Sequence, residues 1–384
     1  MDDWRLTTMA DWAERSGAPF RPLRPAVRPA RDPLDRLALP CPDYVRRVAD
    51  EWSAVGEPAR FVATIPEALV VGPHGVVGAA DGTLFYDSFQ AIQRIGECGF
   101  TPARALPAPP DWEPSVTVPP ALFGLPVRPG PVAGRRLAGT SLLVGFMWDH
   151  NYYHWMLEAL PRLALLDAGE AGSVDRLLLL APRHAYKIRS LELAGLDPSR
   201  VEWIGDETVA CERVVFPSRI CRTGWVSRDA VDWLRRRLAP AERGGSGRRL
   251  FVSRGDTANR RMLNEDEVFE VFRARGFERV ASAGLTLDQQ IALFSQAEAV
   301  VAPHGAGMVN SLFMRPGGLV VDIMSASYLN PGIWTLCDAA GLAYQPVIGP
   351  PARDGGDFAF PAEQARQVAA ALFDPCAGSG RRSS

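Results

Sequence analysis

Lysine is almost missing from this 384-residue sequence: Lys187 is the single one among 42 basic residues. With 35 glycines, 33 prolines and abundant alanine, this is the composition expected of a GC-rich bacterial genome, and it carries no functional signal. Net charge is scarce too. A formal charge of -2 provides no basic field of the kind nucleic-acid binders present, so nucleic acid is not an expected partner. No C-x-x-C pair occurs among Cys41, Cys98, Cys211, Cys221, Cys337 and Cys376, which fits neither a zinc knuckle nor a dense disulfide framework. The thiols are expected to be reduced, as in a cytosolic protein. No apolar run approaches the roughly 18 residues that would span a bilayer, and the first ten residues are polar and acidic. The expected location is cytoplasmic, with at most peripheral contact at the inner face of a membrane.

Several catalytic signatures are absent. There is no G-x-S-x-G elbow, and Ser311, the serine nearest the histidine motifs, falls inside a predicted helix. The G-x-x-x-x-G-K-[ST] phosphate loop is missing, which removes kinase and ATPase chemistry. His150, His154 and Glu158 stand at steps of four, but H-E-x-x-H does not occur and no cysteine lies nearby to complete a zinc site. No D-x-D pair is present to hold a divalent ion on a nucleotide diphosphate. No metal site is expected.

What is present is an α/β pattern long enough for two cores. Residues 1–40, with prolines every few positions between Arg21 and Arg31, are expected to be an extended tail. Residues 41–130 form an accessory β-region and linker. Within it, short runs from Arg60 to Ser88 are punctuated by Pro66, Pro73-His74-Gly75 and the hairpin signal Asp81-Gly82, and a proline-rich connection covers 101–136. Strands then alternate with amphipathic stretches, the signature of parallel sheets with crossover helices. One Rossmann-like unit is expected over 131–228 and a second over 229–360, followed by a closing helix at 361–375 and a disordered end at 376–384.

Three segments carry candidate chemistry. The strand at AVVAP runs into His304, Gly305, Ala306 and Gly307 and then a helix bearing Asn310. Small residues at the carboxyl end of a parallel strand admit a diphosphate close to the backbone, and the first helical N–H groups attract it. The same glycines also suit a mere tight turn, with His304 a structural side chain. The strand LFVSR empties into a loop with Arg254, Arg260 and Arg261, three guanidiniums suited to phosphate oxygens, although Asp256, Glu265 or Glu267 could pair with some of them. Asn264 and Glu267 have the spacing of a capping box. Finally, WDHNYYHWMLEALPRL opens the first unit's long helix and places Asp149, His150, Asn151, His154 and Glu158 together. His154 and Glu158 lie one turn apart, and either can deprotonate an acceptor hydroxyl. The alternative has His154 and Trp155 packing on the sheet and Glu158 paired with Arg162.

The runs N-Y-Y-H-W-x-L-E-x-L-P-R-L, S-R-x-D-x-x-x-R-R-x-x-N-E, L-D-Q-Q-I-x-L-F-x-x-A and P-H-G-A-G-x-x-N-x-L-F resemble glycosyltransferase family 61 in order and spacing over about residues 140–330. The resemblance implies a GT-B architecture of two Rossmann-like domains facing a cleft, here with a small N-terminal β-rich region. It implies an inverting, metal-independent transferase using a nucleotide-sugar donor, UDP-linked, and a glycan or lipid-linked glycan acceptor, with no further cofactor. Capsular or other surface polysaccharide biosynthesis is the associated setting. On the family's pattern Arg254, Arg260, Arg261, His304, Gly305, Ala306, Gly307 and Asn310 fall on the donor side. Asn151, His154 and Glu158 fall on the first unit's cleft helix, with His150 and Asn151 acceptor-side and His154, Glu158 and Asp149 as catalytic candidates. Asp322 stands where many members have glutamate. The alternatives are a non-catalytic glycan- or nucleotide-binding subunit with the same fold and, against the absence of a G-x-G-x-x-G turn after the first strand, an NAD-dependent oxidoreductase.

Overall fold

A computed structural model describes residues 4–27, 57–72, 75–88, 101–102, 126–128, 135–146, 148–167, 169–239, 247–353 and 356–374. Most of the connection expected over 101–136, the Pro73-His74 pair, the terminal segment 376–384 and Cys41, Cys98 and Cys376 lie outside them. The chain divides into two compact units, one built from 1–30 and 54–237, the other from 31–53 and 238–384.

The first unit contains β1 (Trp4–Thr7), β2 (Phe20–Arg24), β3 (Arg60–Val71), β4 (Val76–Ala79), β5 (Thr83–Phe85), β6 (Thr101–Pro102), β7 (Pro126–Arg128), β8 (Arg135–Leu143), β9 (Arg176–Leu180), β10 (Val201–Ile204) and β11 (Thr208–Pro217). All eleven belong to one sheet, ordered β10-β9-β8-β11-β3-β4-β5-β1-β7-β6, with β2 on β3. β10, β9, β8 and β11 are parallel. β3 joins β11 antiparallel over nine register pairs from Thr208–Val71 to Pro217–Val62, and β4 and β5 continue antiparallel, turning at Asp81-Gly82. The β-rich region therefore extends the parallel sheet of the first Rossmann-like segment instead of forming a separate layer. Its core runs across both parts: Ile65, Val70 and Phe85 share one cluster with Leu143, Leu178, Ile204, Val214 and Phe216.

The segment expected to be an extended tail is folded as far as Arg24. Thr8 caps a helix at Met9–Ser16, accepting from the Asp11 N–H, and Gly17 closes it in the left-handed region at φ 71°. Trp12 on that helix is buried against Phe85, and its Nε1 donates to Asp81 at 2.8 Å. Pro22 does not prevent β2 from pairing, because β2 lies at the end of a ladder where a missing donor is tolerated.

The second unit is a five-stranded, all-parallel sheet of β12 (Arg248–Val252), β13 (Phe277–Val280), β14 (Ala297–Pro303), β15 (Leu319–Ser325) and β16 (Ala343–Gly349). Its order, β13-β12-β14-β15-β16, is that of a doubly wound sheet in which the chain starts next to the edge and reverses direction once. The reversal falls between the paired strands β12 and β14, and in such sheets the ligand crevice lies beyond the carboxyl ends at that point. The strands read as continuous apolar runs because they are covered on both faces; Val300, Val301, Val320 and Val321 are fully buried. The helix expected near the chain's end spans Ala362–Phe373 and joins the Phe251, Phe272 and Phe277 cluster.

Candidate functional site

Arg254 follows β12 and His304 follows β14, so the two reach the crevice of the second sheet from adjacent strands. Gly305 has an extended backbone, φ -178°, so its need for glycine is spatial. A Cβ there would overlap the Arg254 guanidinium, whose Cζ would lie 2.8 Å away. Arg254 is fixed in this position from several sides. Its backbone N–H donates to Glu265 Oε2 at 2.8 Å, Nη2 donates to the Asn259 carbonyl at 2.9 Å, and Glu265 also accepts from Ser253 Oγ. Burial, and then the nearby Arg260 charge, lower the pKa of Arg254 from its ordinary value. Two guanidiniums held this close attract an anion.

The Gly305 turn opens a 3₁₀ helix at Ala306–Phe313. The first N–H groups of such a helix have no partner within it and point beyond the strand end. A Cβ on Gly307 would meet Ser282 Oγ at 3.4 Å and Val252 at 3.5 Å, ordinary contacts, so Gly307 is not sterically required. Asn310 points inward: it is fully buried, and its Nδ2 donates to Gln290 at 2.6 Å and to the Gly307 carbonyl at 3.3 Å. It acts on the turn from behind.

His304 is held by Asp322. Nδ1 lies 2.9 Å from Asp322 Oδ2, Asp322 is fully buried on β15, and the Tyr344 hydroxyl donates to the same oxygen at 2.9 Å. Burial and the Asp322 charge push the Tyr344 phenol well above its usual range, which keeps it a donor. The carboxylate thus accepts from both, so Nδ1 carries the proton and Nε2 is left for a ligand. Asp322, which stands where many family members have glutamate, is here a buried anchor for the imidazole.

The arginine loop separates into different tasks. Arg260 lies with its guanidinium 4.2 Å over the Tyr328 ring and has φ 56°. Arg261 turns to Asp357, donating from its backbone N–H at 2.8 Å, from Nε at 3.0 Å and from Nη2 at 2.7 Å, and so ties the loop down. Asn264 makes no side-chain cap, contrary to the expected capping box. Its amide pairs with the backbone of Phe360, donating at 2.8 Å and accepting at 2.9 Å, because that strand-like segment offers both groups at once.

In the first unit, the helix after β8 starts at an Asn151 cap, whose side chain accepts from Tyr153 N–H. It changes to a π turn at Trp155–Ala159 and a 3₁₀ segment at Leu160–Leu165. Pro161 explains the break, since it has no N–H to return to Leu157. His154 Nδ1 lies 2.9 Å from Glu158 Oε1, and the Glu158 side chain is fully buried. Thr223, from the loop after β11, donates to both Glu158 oxygens at 3.1 and 3.2 Å. The ring of Trp148 packs 5.2 Å from that of His154. This is a second histidine fixed through Nδ1 by a buried carboxylate. Arg162, the alternative partner for Glu158, is buried under Phe216 and donates to the carbonyls of Pro217, Val144 and Gly145.

Asp149 lies inside the first unit with the only lysine, Lys187, whose Nζ donates to Oδ1 at 2.7 Å. Burial pushes the Asp149 carboxyl up to about 6, with the Lys187 charge opposing it. Asp149 is thus a buried partner of Lys187, whereas Glu158 is buried against His154. His150 is exposed, and its carbonyl accepts from the Tyr186 hydroxyl at 3.0 Å. Sequence reading missed Thr223, Tyr328 and Tyr344. Each lies on a separate element from the motif it serves, and no local spacing marks it. Among the described residues no group of three or more His, Cys, Asp or Glu side chains is placed to hold a metal ion, and no helix is long and apolar enough to cross a membrane.

The Gly305 turn thus stands at the reversal of a doubly wound parallel α/β sheet, beside a histidine held by a buried carboxylate. Residues 152–321 match the family model described as Glycosyltransferase 61, and this stretch of the chain is a glycosyltransferase 61 domain. Among curated proteins, a beta-1,2-xylosyltransferase, XAX1, of Oryza sativa subsp. japonica is 36% identical over 100 residues, which are 25% of this chain and 17% of that protein. The chain thus matches only about a sixth of the length of that relative.

Proposed function

We propose that this protein is an inverting, metal-independent glycosyltransferase of the GT-B type that moves a sugar from a nucleotide-sugar donor to a glycan acceptor. The observation that carries this reading is the Gly305 turn, kept bare of a side chain under Arg254 and followed by open helical N–H groups. The donor's diphosphate would rest on the Gly305–Gly307 backbone. Arg254 and Arg260 would offset the charge that grows on the departing nucleoside diphosphate, and His304 would orient a sugar hydroxyl by accepting from it at Nε2. Arg261, already paired with Asp357, holds the loop in place.

In the first unit, Glu158 holds the Nδ1 proton of His154, so Nε2 is the atom that would take the proton of the attacking acceptor hydroxyl. Buried Glu158, steadied by Thr223, would stabilise the imidazolium that forms. Asn151 and His150 flank this histidine on the acceptor side. A UDP-linked donor, an acceptor in surface or capsular polysaccharide assembly and a cytoplasmic location complete the proposal. They are supported by the family resemblance and the composition.

The test is transfer by the full chain from a panel of nucleotide sugars to candidate glycans. His154→Ala is expected to lower turnover by at least about 100-fold with donor affinity retained. His304→Ala is expected to weaken both donor binding and turnover. Unchanged rates in either folded variant would remove that residue from the mechanism.

A further inference from the structure

We propose that Tyr328 is the stacking platform for the donor's nucleobase; this rests on the donor reading above. Among the phenylalanine, tyrosine and tryptophan side chains whose burial is described, Tyr328 is the one that is exposed, at 39% accessible. It stands on the loop after β15, with its ring 5.7 Å from that of His304. The Arg260 guanidinium covers it at 4.2 Å. Arg260 holds this pose at φ 56°, a left-handed conformation that costs a non-glycine residue about 1 kcal/mol or more. A strained cation over an otherwise exposed ring, beside a phosphate-type turn, leaves a layered stack that a flat π-faced ligand completes.

A small apolar crevice, with room for about one water, lies on the same loop. Met324, Leu329, Pro331, Trp334 and Tyr344 line it, and Asn330 contributes the polar side chain. Asn330 Nδ2 donates to the Tyr328 hydroxyl at 3.2 Å, and Oδ1 accepts from the Gly332 N–H at 2.8 Å. Along the sheet edge the order is Arg254 on β12, His304 and Gly305 on β14, then Tyr328 and the crevice on β15 and β16. Strands are spaced about 4.8 Å apart, so one to two spacings separate the anion turn from the ring and crevice. That is the reach of a ribose linking a diphosphate to a base. The transferred sugar must leave the donor and meet an acceptor, whereas the nucleoside stays with the diphosphate. The exposed ring therefore suits the nucleoside.

Titration calorimetry on the full chain, with a panel of nucleoside diphosphates and with inorganic pyrophosphate, separates base from phosphate. Tyr328→Ala is expected to weaken the best-bound nucleoside diphosphate roughly 10- to 100-fold, as loss of one base stack does, and to leave pyrophosphate within about twofold. Tyr328→Phe should keep most of the affinity. Equal weakening of both ligands, or none for the nucleoside diphosphate, would overturn the assignment. So would a loss seen with the nucleotide sugar alone, which would give the ring to the sugar. If the wild-type chain binds neither pyrophosphate nor any nucleoside diphosphate, the donor site itself fails and Tyr328 goes with it. If pyrophosphate binds and no nucleoside improves on it, only the present inference fails.

Discussion

At the scale of single residues, Asp149 and Lys187 form a buried ion pair inside the first unit. Both side chains are buried, Nζ also donates to the Leu180 carbonyl at 2.9 Å, and Asp149 Oδ2 has no partner. Removing the cation leaves an uncompensated buried carboxylate, so Lys187→Met is expected to cost about 3–5 kcal/mol in urea unfolding at neutral pH. The pH dependence follows from the carboxyl's shift from 3.8 to about 6. Between those values the folded chain holds a proton that the unfolded chain has released, so this group's contribution to stability falls as pH rises through the window. Asp149→Asn should abolish that slope; unfolding curves from pH 4 to 7 would reveal it. The His154–Glu158 pair was legible as an i,i+4 step on one helix. Thr223 was not, because it reaches Glu158 from 65 residues away.

At the scale of elements, the turn after β14 holds its first glycine for a reason that local sequence did not show. Glycine at 305 suggested a tight turn or a close ligand approach, whereas its backbone is extended and the space is filled by Arg254. Gly305→Ala displaces the tip of a flexible side chain and not backbone. It is expected to unfold within about 1 kcal/mol of wild type while weakening diphosphate binding about tenfold. Calorimetric binding beside thermal unfolding measures both. The helix at Leu287–Ser295 carries a full capping box between Thr286 and Gln289. Thr286→Ala should cost about 1 kcal/mol in chemical denaturation. Periodicity located this helix and the strands on either side of it. It missed β16 and the helix at Gly332–Ala340, whose residues are apolar all round because both are buried.

At the scale of the whole molecule, each unit places its candidate histidine beyond the carboxyl ends of parallel strands, and in each a buried carboxylate fixes Nδ1. The first unit shows in addition that an N-terminal segment rich in proline and arginine can belong to a core. Trp12→Ala removes a buried indole, its contact with Phe85 and its hydrogen bond to Asp81, and should cost about 3–5 kcal/mol in the unfolding of that unit. An unchanged unfolding curve would return residues 1–27 to the role of a tail.

The sequence alone determined the alternation of strands and helices, the strand ends at Arg254 and His304, and the resemblance to glycosyltransferase family 61, because these depend on local periodicity and on motif spacing. Tertiary structure decided the rest. It merged the β-rich region into the parallel sheet, buried Asp149 with Lys187, turned Arg261 to Asp357 and Asn310 into the core, and brought Thr223, Tyr328 and Tyr344 to the histidines. Side chains of both kinds carry the same chemistry in the sequence. Only the packing of distant strands determines which of them loses its contact with water and which keeps it.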